Sequence, residues 1–284
     1  MLIKLENVTH VYQQQGITAL DDISLGISTG EFIGVIGQTG SGKSTLVQVF
    51  NGLIKPTSGL VIVDGKDITR NKVNLKKIRQ KVGLVFQYPE HQLFEESVAE
   101  DIAFGPKNLK LDKNEVENRV KESMSLVGMD YDLYGERSPF NLSGGQQRRV
   151  AIAGVLAMKP EVLILDEPTA GLDPTGREKL MNLLQYLHDN LGMTIVLISH
   201  RMGEIARLAN RVLVLDKGKL IMDNTPRKVF NQGEKLKKLG LDLPQVSLIL
   251  KKLQARGLNV RSDIFTIKEA KNEILSALRR SKSC

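Results

Sequence analysis

The segment with the most specific chemistry is a glycine-rich stretch that ends in lysine, serine and threonine. It lies between an apolar run and a segment with helical patterning, so a strand, a tight turn and a helix are predicted. Glycines let backbone N–H groups converge on phosphate, and the start of the helix adds its positive dipole end. A flexible loop that fits the pattern by chance is the alternative. The stretch consists of Gly37, Gln38, Thr39, Gly40, Ser41, Gly42, Lys43, Ser44 and Thr45.

Three side chains of this phosphate-binding loop have expected contacts. Lys43 is expected along the β- and γ-phosphates of a nucleotide, and the Ser44 hydroxyl is expected to reach Mg²⁺. Thr45 is expected to hold the first turn of the helix. The sequence therefore predicts a nucleotide site with an associated magnesium ion.

An acidic pair, Asp166 and Glu167, follows a second apolar run. An acid at the carboxyl end of such a strand is well placed to hold Mg²⁺, and this role falls to Asp166. Glu167 is expected near the γ-phosphate, where it accepts a proton from the attacking water, a contribution of roughly 10²–10⁴-fold. Gln87 and His200 each end a strand of the same presumed sheet and could contact water, Mg²⁺ or the γ-phosphate. An exposed acidic turn before Pro168 is the structural alternative.

A second glycine-rich helix start lies at residues 142–146, Leu-Ser-Gly-Gly-Gln. It combines a hydroxyl with free N–H groups, so it is a second anion-binding device. The first phosphate site already has its backbone donors. We therefore expect this segment to complete the site of another subunit.

Tyr12 stands between two runs of alternating apolar and polar residues, ahead of a turn-like Gln-Gln-Gln-Gly. Its ring could stack on a purine, a contact of the order of 1 kcal/mol. It could equally pack at the end of a strand. The residues alone favour neither interpretation.

The remaining pattern predicts an α/β chain with two parts. Residues 162–165 and 194–198 are continuous apolar runs, typical of strands covered on both faces in a parallel sheet. Residues 89–145 have helical periodicity and are expected to form an inserted helical subdomain. Residues 225–284 change composition and show two amphipathic helical faces, so a small helical C-terminal domain is predicted. One face contains Val246, Ile249, Leu250 and Leu253, and the other Ile267, Ala270, Ile274 and Leu278.

The net charge of +8 is unevenly distributed. Residues 225–284 carry about +9, whereas the preceding 224 residues carry about −1. A basic tail on a neutral body fits an acidic partner or a membrane surface at least as well as nucleic acid. Cys284 is the only cysteine, so a disulfide framework is excluded and a reducing cytosol fits. No apolar run approaches the roughly 18 residues that cross a bilayer, so the chain is not expected to be a membrane protein itself.

In order and spacing, these segments resemble the motifs of ATP-binding cassette (ABC) ATPases. The resemblance covers residues 1–224 and implies a P-loop core with a mixed sheet, an antiparallel β subdomain and a helical subdomain. It also implies two subunits that pair head to tail and hold two ATP molecules between them. The matching motifs are Walker A at 37–45, the Q-loop at Gln87, the signature at 142–146, Walker B at 163–167, the D-loop at 170–173 and the H-loop at His200.

The resemblance assigns further roles. Ser143 would contact the γ-phosphate across the dimer, with Gly144, Gly145 and Gln146 beside it. Asp173 would link the two sites, and Tyr12 would stack on adenine. Catalysis would rest on Glu167, His200, Gln87 and Lys43. The magnesium ligands would be Ser44, Gln87 and Asp166, and the cofactors ATP and Mg²⁺.

A narrower resemblance is to the ATPases of energy-coupling factor (ECF) importers, which take up vitamins and transition-metal ions. It rests on residues 87–94, on residues 148–157 and on the length of the helical tail. It implies a peripheral subunit on the cytoplasmic face of the membrane. Its partners would be a second ATPase, a membrane coupling protein and a substrate-binding membrane subunit. The second ATPase would be a paralogue, with this chain the second of the pair, and a homodimer is the alternative. Residues 89–94 would form the groove for the coupling protein.

Other interpretations carry their own expectations. A cassette ATPase of translation or DNA maintenance would have two cassettes or long coiled coils, and neither pattern is present. An importer subunit for sugars or amino acids would have a β-barrel tail, whereas this tail has helical periodicity. An acidic cluster near the Q-loop is expected either to receive basic groups of the coupling protein or to be a solvated face. Its members are Glu90, Glu95, Glu96, Glu100 and Asp101.

Overall fold

A computed structural model describes residues 1–70 and 73–282 of the chain. The strands are β1 (Ile3–Tyr12), β2 (Ile17–Ile27), β3 (Phe32–Ile36), β4 (Ser58–Val63), β5 (Lys66–Asp67), β6 (Val82–Val85), β7 (Val162–Asp166), β8 (Thr194–Ile198), β9 (Arg211–Asp216) and β10 (Lys219–Asn224). The helices of the body are α1 (Lys43–Phe50), α2 (Leu75–Lys81), α3 (Val98–Asn108), α4 (Lys113–Leu126), α5 (Tyr131–Tyr134), α6 (Gly144–Leu156), α7 (Pro174–Asp189) and α8 (Met202–Leu208). The C-terminal helices are α9 (Pro226–Phe230), α10 (Gly233–Lys238), α11 (Gln245–Ala255) and α12 (Ile267–Lys282).

The larger sheet positions the predicted site. Among the described residues its strand order is β10-β9-β3-β8-β7-β6, and every neighbouring pair is parallel except β10 and β9. All residues of β3, β7 and β8 are buried, as predicted from runs without alternation. Because parallel strands end at the same edge, the loops after β3, β6, β7 and β8 meet there.

The smaller sheet is antiparallel, with the order β2-β1-β4-β5 among the described residues. Its strands show the predicted alternation of buried and exposed side chains. Apolar residues of this sheet pack with α1 and with one face of the larger sheet in a shared core. The antiparallel sheet therefore covers the helix that follows the phosphate-binding loop.

Arg148 joins the inserted helices α3 to α6 to the body, and it also forms a largely buried ion pair with Glu90. Arg148 on α6 contacts both carboxylate oxygens of Glu90, at 2.7 and 3.1 Å. The same guanidinium donates to the carbonyls of Pro168 and Ala170, in the loop that follows β7. Arg148 therefore connects the Q-loop turn, the signature helix and the end of the Walker B strand.

The acidic cluster predicted near the Q-loop is not a uniformly open surface, because two of its five members have intramolecular partners. Glu90 points inward to Arg148 and is occupied by that pair. Asp101 accepts hydrogen bonds from the backbone N–H groups of Phe94 and Glu95. The donor to Glu90 comes from α6, whereas the donors to Asp101 come from the segment just before α3. Of the other three members, Glu96 and Glu100 are exposed and Glu95 is half-buried.

Helices α11 and α12 and the segment between them have a small core of their own, formed by Leu250, Val260, Ile264, Ala270 and Ala277. The buried apolar residues of α9 and α10 pack into the main core instead. The apolar faces predicted for this segment are only partly correct, since Ile249, Ile267 and Leu278 are 55%, 80% and 45% exposed. Thr266 caps α12 through the N–H of Glu269, which leaves Ile267 in the first turn and pointing outward. The packed stripe is therefore Ala270, Ile274 and Ala277. Cys284 lies outside the described residues.

The C-terminal segment also contacts the phosphate-binding loop. Gly240, with φ +64°, lies directly against the side-chain amide of Gln38, so close that a Cβ at this glycine would overlap the amide nitrogen. Within residues 1–70 and 73–282, no helix is both long and apolar enough to span a membrane.

The buried pair generates a stability prediction. Glu90→Ala should lower the free energy of unfolding by about 2–4 kcal/mol, because it leaves the Arg148 charge buried without its carboxylate. Glu96→Ala is the matched control: this exposed glutamate of the segment between that turn and α3 should change stability by less than about 0.5 kcal/mol. Chemical denaturation of both variants measures the difference. Equal stability of the two variants would show that the pair contributes nothing.

Candidate nucleotide-binding and catalytic site

The phosphate-binding loop adopts the conformation its glycines permit. Gly42 has φ +101°, and a Cβ there would lie 2.3 Å from the carbonyl oxygen of Ala19, so this position requires glycine. The helix predicted after the loop is present as α1, and it begins at the next residue, Lys43. Its ammonium donates to the carbonyls of Gly37 and Gln38, each at 2.8 Å. The lysine therefore closes the loop around the space where phosphate is expected.

The acidic pair lies at the carboxyl end of β7, beside this lysine. Asp166 is the buried last residue of the strand. Glu167 follows with φ +51°, a left-handed conformation that is uncommon for a residue with a side chain. Its N–H donates to the carbonyl of Ile198 at 3.0 Å, which fixes the turn against β8. The strained turn therefore presents the Glu167 carboxylate at the sheet edge.

The charges of Lys43, Asp166 and Glu167 are only partly compensated by their surroundings. Burial is the largest cause that raises the pKa of Glu167 to about 7, and the neighbouring Asp166 charge adds to it. Oε1 of Glu167 is buried and has no hydrogen-bond partner among the described residues. Burial also lowers the pKa of Lys43, although Glu167 and Asp166 oppose this shift. A group that takes a proton near neutral pH has the property of a general base.

His200 lies next to this carboxylate. Its Nε2 is 3.3 Å from Oε1 of Glu167, without the alignment of a hydrogen bond. Burial, followed by the Lys43 charge, lowers the pKa of the imidazole, so it is neutral at pH 7. The structure therefore brings His200, Glu167, Asp166 and Lys43 together.

The other predicted nucleotide- and magnesium-binding residues of this half-site lie at the same sheet edge, and most of them face outward. Ser44, Gln87, Gln38, Thr39 and Gly40 are exposed, whereas Ser41 is buried and its hydroxyl has no partner among the described residues. The Ser41 hydroxyl is thus a buried polar atom available to a ligand in the loop.

Tyr12 is anchored beside the helix that follows the loop. Its hydroxyl lies 3.1 Å from Oγ1 of Thr45, and its ring packs edge-on against His10. Thr45 is buried and therefore contacts the tyrosine in addition to lying in the first helical turn. The ring remains 37% exposed, so one part of it is available to a base.

The signature segment lies on an open surface. Ser143 precedes α6, and its N–H and hydroxyl both donate to the side-chain oxygen of Gln146. Apart from the adjacent residues and the backbone of α6 itself, no atom of the described residues lies within 4 Å of a Cβ placed on Gly144. At Gly145 the nearest such atom is a methyl carbon of Leu172 at 3.9 Å. Asp173 is exposed and caps α7 through the N–H of Gly176. The segment therefore leaves its helix N-terminus accessible to another molecule.

The donor set fits Mg²⁺. Asp166, Ser44 and Gln87 offer a carboxylate, a hydroxyl and an amide oxygen, the hard ligands that this ion prefers. No group of three or more His, Cys, Asp or Glu residues in the described part of the chain could hold a metal ion. A magnesium ion there would therefore depend on phosphate oxygens and water for most of its ligands.

One buried carboxylate of the site was not found from the sequence. Glu204 on α8 accepts hydrogen bonds from Ser199 and Thr169, on the loops that carry His200 and Glu167. Its position four residues after the histidine suggests only an acid in the first turn of a helix. Its burial depends on how α8 packs beneath these loops, which no local pattern indicates.

These features, a P-loop, paired carboxylates at the neighbouring strand and an exposed signature helix, define an ATPase of the ABC class. The sequence matches the ABC transporter family over residues 20–170. The fold is shared with cbiO1 from Clostridium perfringens, described as part of the ABC transporter complex cbiONQ, with a TM-score of 0.74, 39% identity and coverage of 88% of this chain and 98% of that one. It is also shared with a dimeric cassette, MJ0796, bound to ADP and phosphate after hydrolysis, with a TM-score of 0.71, 33% identity and coverage of 79% of this chain and 99% of that one.

Sequence relatives narrow the class. The energy-coupling factor transporter ATP-binding protein EcfA2 of Clostridium tetani is 56% identical over 97% of this chain and 96% of its own. The protein of the same name from Clostridioides difficile is 52% identical over the whole length of both. This chain belongs to the family of ECF transporter ATP-binding proteins.

The raised pKa of Glu167 generates a pH prediction for the nucleotide-free protein. Between the ordinary value of 4.5 and about 7, the folded state keeps a proton that the unfolded state has released. Stability therefore falls as pH rises through this window. Glu167→Gln carries no charge, so its stability relative to wild type should increase between pH 5 and pH 8, by about 1 kcal/mol in a partly open, solvent-screened site.

Chemical unfolding at pH 5, 6, 7 and 8 measures this difference. Glu178→Gln is the control, because the ion pair with Arg207 lowers the pKa of this exposed carboxylate and keeps it ionised across the range. Its difference from wild type should be constant. A Glu167→Gln difference that is equally constant would contradict a raised pKa.

Proposed function

We propose that this chain is the ATP-hydrolysing subunit of an ECF-type importer, a peripheral protein on the cytoplasmic face of the membrane. The proposed complex contains a second, paralogous ATPase, a membrane coupling protein and a substrate-binding membrane subunit, and it takes up a vitamin or another micronutrient. The proposal rests on one observation: the chain has two separate binding surfaces, each of which looks like half of a site. Lys43, Asp166, Glu167 and His200 converge at one sheet edge, whereas the start of the signature helix is open to solvent.

In the proposed mechanism the loop N–H groups and Lys43 bind the β- and γ-phosphates. Ser44, Gln87 and Asp166 would hold Mg²⁺, and the bound ion would neutralise charge on the phosphate oxygens. The Ser41 hydroxyl, buried without a partner, supplies a further donor. The part of the Tyr12 ring that remains exposed stacks on adenine.

The hydrolytic step is assigned to Glu167 and His200. The Glu167 carboxylate takes a proton from the water that attacks the γ-phosphorus, as the bond to the leaving oxygen breaks. Its raised pKa makes it a stronger proton acceptor than an ordinary glutamate. Neutral His200, 3.3 Å from Oε1, orients that carboxylate and the γ-phosphate.

The second half of each site comes from the partner ATPase. Ser143, Gly144, Gly145 and Gln146 of one subunit contact the γ-phosphate held by the other subunit's loop. The open surface at Gly144 supports this arrangement. Asp173 lies at the start of α7, next to Leu172, which approaches Gly145, so it is well placed to connect the two sites.

Glu167→Gln tests the catalytic assignment. The variant should bind ATP with an affinity near that of wild type, because it keeps the size of the side chain and every phosphate ligand. Its turnover should fall by about 10²-fold or more, because only the proton acceptor is lost. Equilibrium binding of ATP and phosphate release in the paired ATPases measure the two quantities. Wild-type turnover would exclude Glu167 as the base.

An exposed aromatic pair beside the Q-loop supports a docking surface for the membrane partner. Phe94 and Phe104 are 56% and 46% exposed, and their rings pack edge to face at 4.9 Å. Large exposed aromatics next to one another are typical of interaction sites. We place the coupling protein on this pair and on residues 89–94.

Co-purification from membranes tests the transport role. Wild-type chain should bring down integral membrane proteins of the complex, identified by mass spectrometry, and Phe94→Glu should lose them while ATP binding is retained. Tyr186→Glu, which adds the same charge at an exposed aromatic of α7, is the matched control and should retain them. Identical recovery with all three chains would place the docking surface elsewhere, and recovery of no membrane protein by wild type would contradict the transport role.

A further inference from the structure

Glu204 is a nearly buried carboxylate that contacts both the loop of Glu167 and the loop of His200. Its side chain is 10% exposed. Oε2 accepts hydrogen bonds from Oγ of Ser199 at 3.0 Å and from Oγ1 of Thr169 at 3.1 Å. Ser199 immediately precedes His200, and Thr169 is two residues beyond Glu167. A single oxygen atom therefore joins the loop of the proposed base to the loop of its neighbouring histidine.

The other oxygen of Glu204 forms long ion pairs with two arginines but no hydrogen bond with either. Oε1 is buried and has no hydrogen-bond partner among the described residues. Nε of Arg177 lies 3.8 Å away and Nε of Arg201 3.7 Å away. The Nε of Arg177 is itself buried and unbonded within the described part of the chain. Two buried polar atoms of opposite charge are thus 3.8 Å apart, close enough to attract each other but too far apart for a hydrogen bond. Each is left without a hydrogen-bond partner, which calls for an explanation in a native structure.

Arg177 connects this carboxylate to the segment that carries Asp173. It lies in the first turn of α7, the helix that Asp173 caps, and its Nη2 donates to the carbonyl of Leu172 at 3.3 Å. A shift of residues 170–173 therefore changes the distance between Arg177 and Glu204. The rigid hydrogen bonds of Oε2 would pass that shift to both catalytic loops.

We propose that Glu204 is a positioning residue for ATP hydrolysis, which fixes the loops of Glu167 and His200 relative to each other and couples them to the Asp173 segment through Arg177. This inference rests on the role proposed above for Glu167. Glu204 makes no contact with nucleotide in this arrangement. Its effect should therefore fall on the chemical step and not on ATP binding.

The first test is Glu204→Gln in the full chain, paired with its partner ATPase. Glutamine keeps the size and one acceptor oxygen, but it removes the charge that faces Arg177 and Arg201. We expect kcat for ATP to fall about tenfold or more while KM stays within about twofold of wild type. Glu178→Gln is the matched control, because this neighbouring glutamate pairs with Arg207 at the surface, away from both loops. It should keep wild-type kcat.

The second test separates positioning from simple stabilisation. If Glu204 acts through Glu167, then adding Glu204→Gln to Glu167→Gln should cause no further fall in the residual turnover. The inference would be overturned by wild-type kcat in Glu204→Gln, by a loss explained by a lowered Tm alone, or by the same fold-loss in both backgrounds. Wild-type turnover in Glu167→Gln alone would instead overturn the proposed base, so the two failures are distinguishable.

Discussion

The burial of a carboxylate without a full set of partners is the constraint around which this site is arranged. Glu167 sits in a left-handed turn at the end of a fully buried strand, and one of its oxygens has no donor among the described residues. Burying charge in this way destabilises the ionised form, so the structure around it must be rigid. The bond from its N–H to Ile198 and the parallel sheet beneath provide that rigidity. A strained, high-pKa carboxylate beside a closed phosphate loop is a typical sign of a catalytic site.

Two sets of side-chain hydrogen bonds connect this site to neighbouring parts of the chain. Arg148 ties the signature helix to the Q-loop turn and to the loop after β7. Glu204 ties the loops of Glu167 and His200 together from the opposite side. These hydrogen bonds therefore link the proposed nucleotide site to the helical subdomain, which we expect to contact membrane partners. We expect a displacement of that subdomain to shift the Glu167 carboxylate more than the phosphate-binding loop, because the loop makes neither of these contacts.

The core of the fold could be predicted from the sequence alone. The strand before the phosphate-binding loop, the helix after it and the two buried parallel strands are all confirmed, because glycine placement and unbroken apolar runs determine them locally. The roles of the site residues remain predictions, although the structure does bring Lys43, Asp166, Glu167 and His200 to one edge. Glu204 and the Glu90–Arg148 pair could not be predicted, since their burial depends on contacts between distant segments. The outward position of Ile267 was missed because helical periodicity does not show where the first turn leaves the packed stripe.

The central claim is that one chain contains only half of each catalytic site. ATP turnover per subunit, measured across a dilution series with the molar mass determined in the same samples, tests it directly. We predict that turnover rises in proportion to the paired fraction and approaches zero where the chain is monomeric. Full turnover by a strictly monomeric chain would contradict the account.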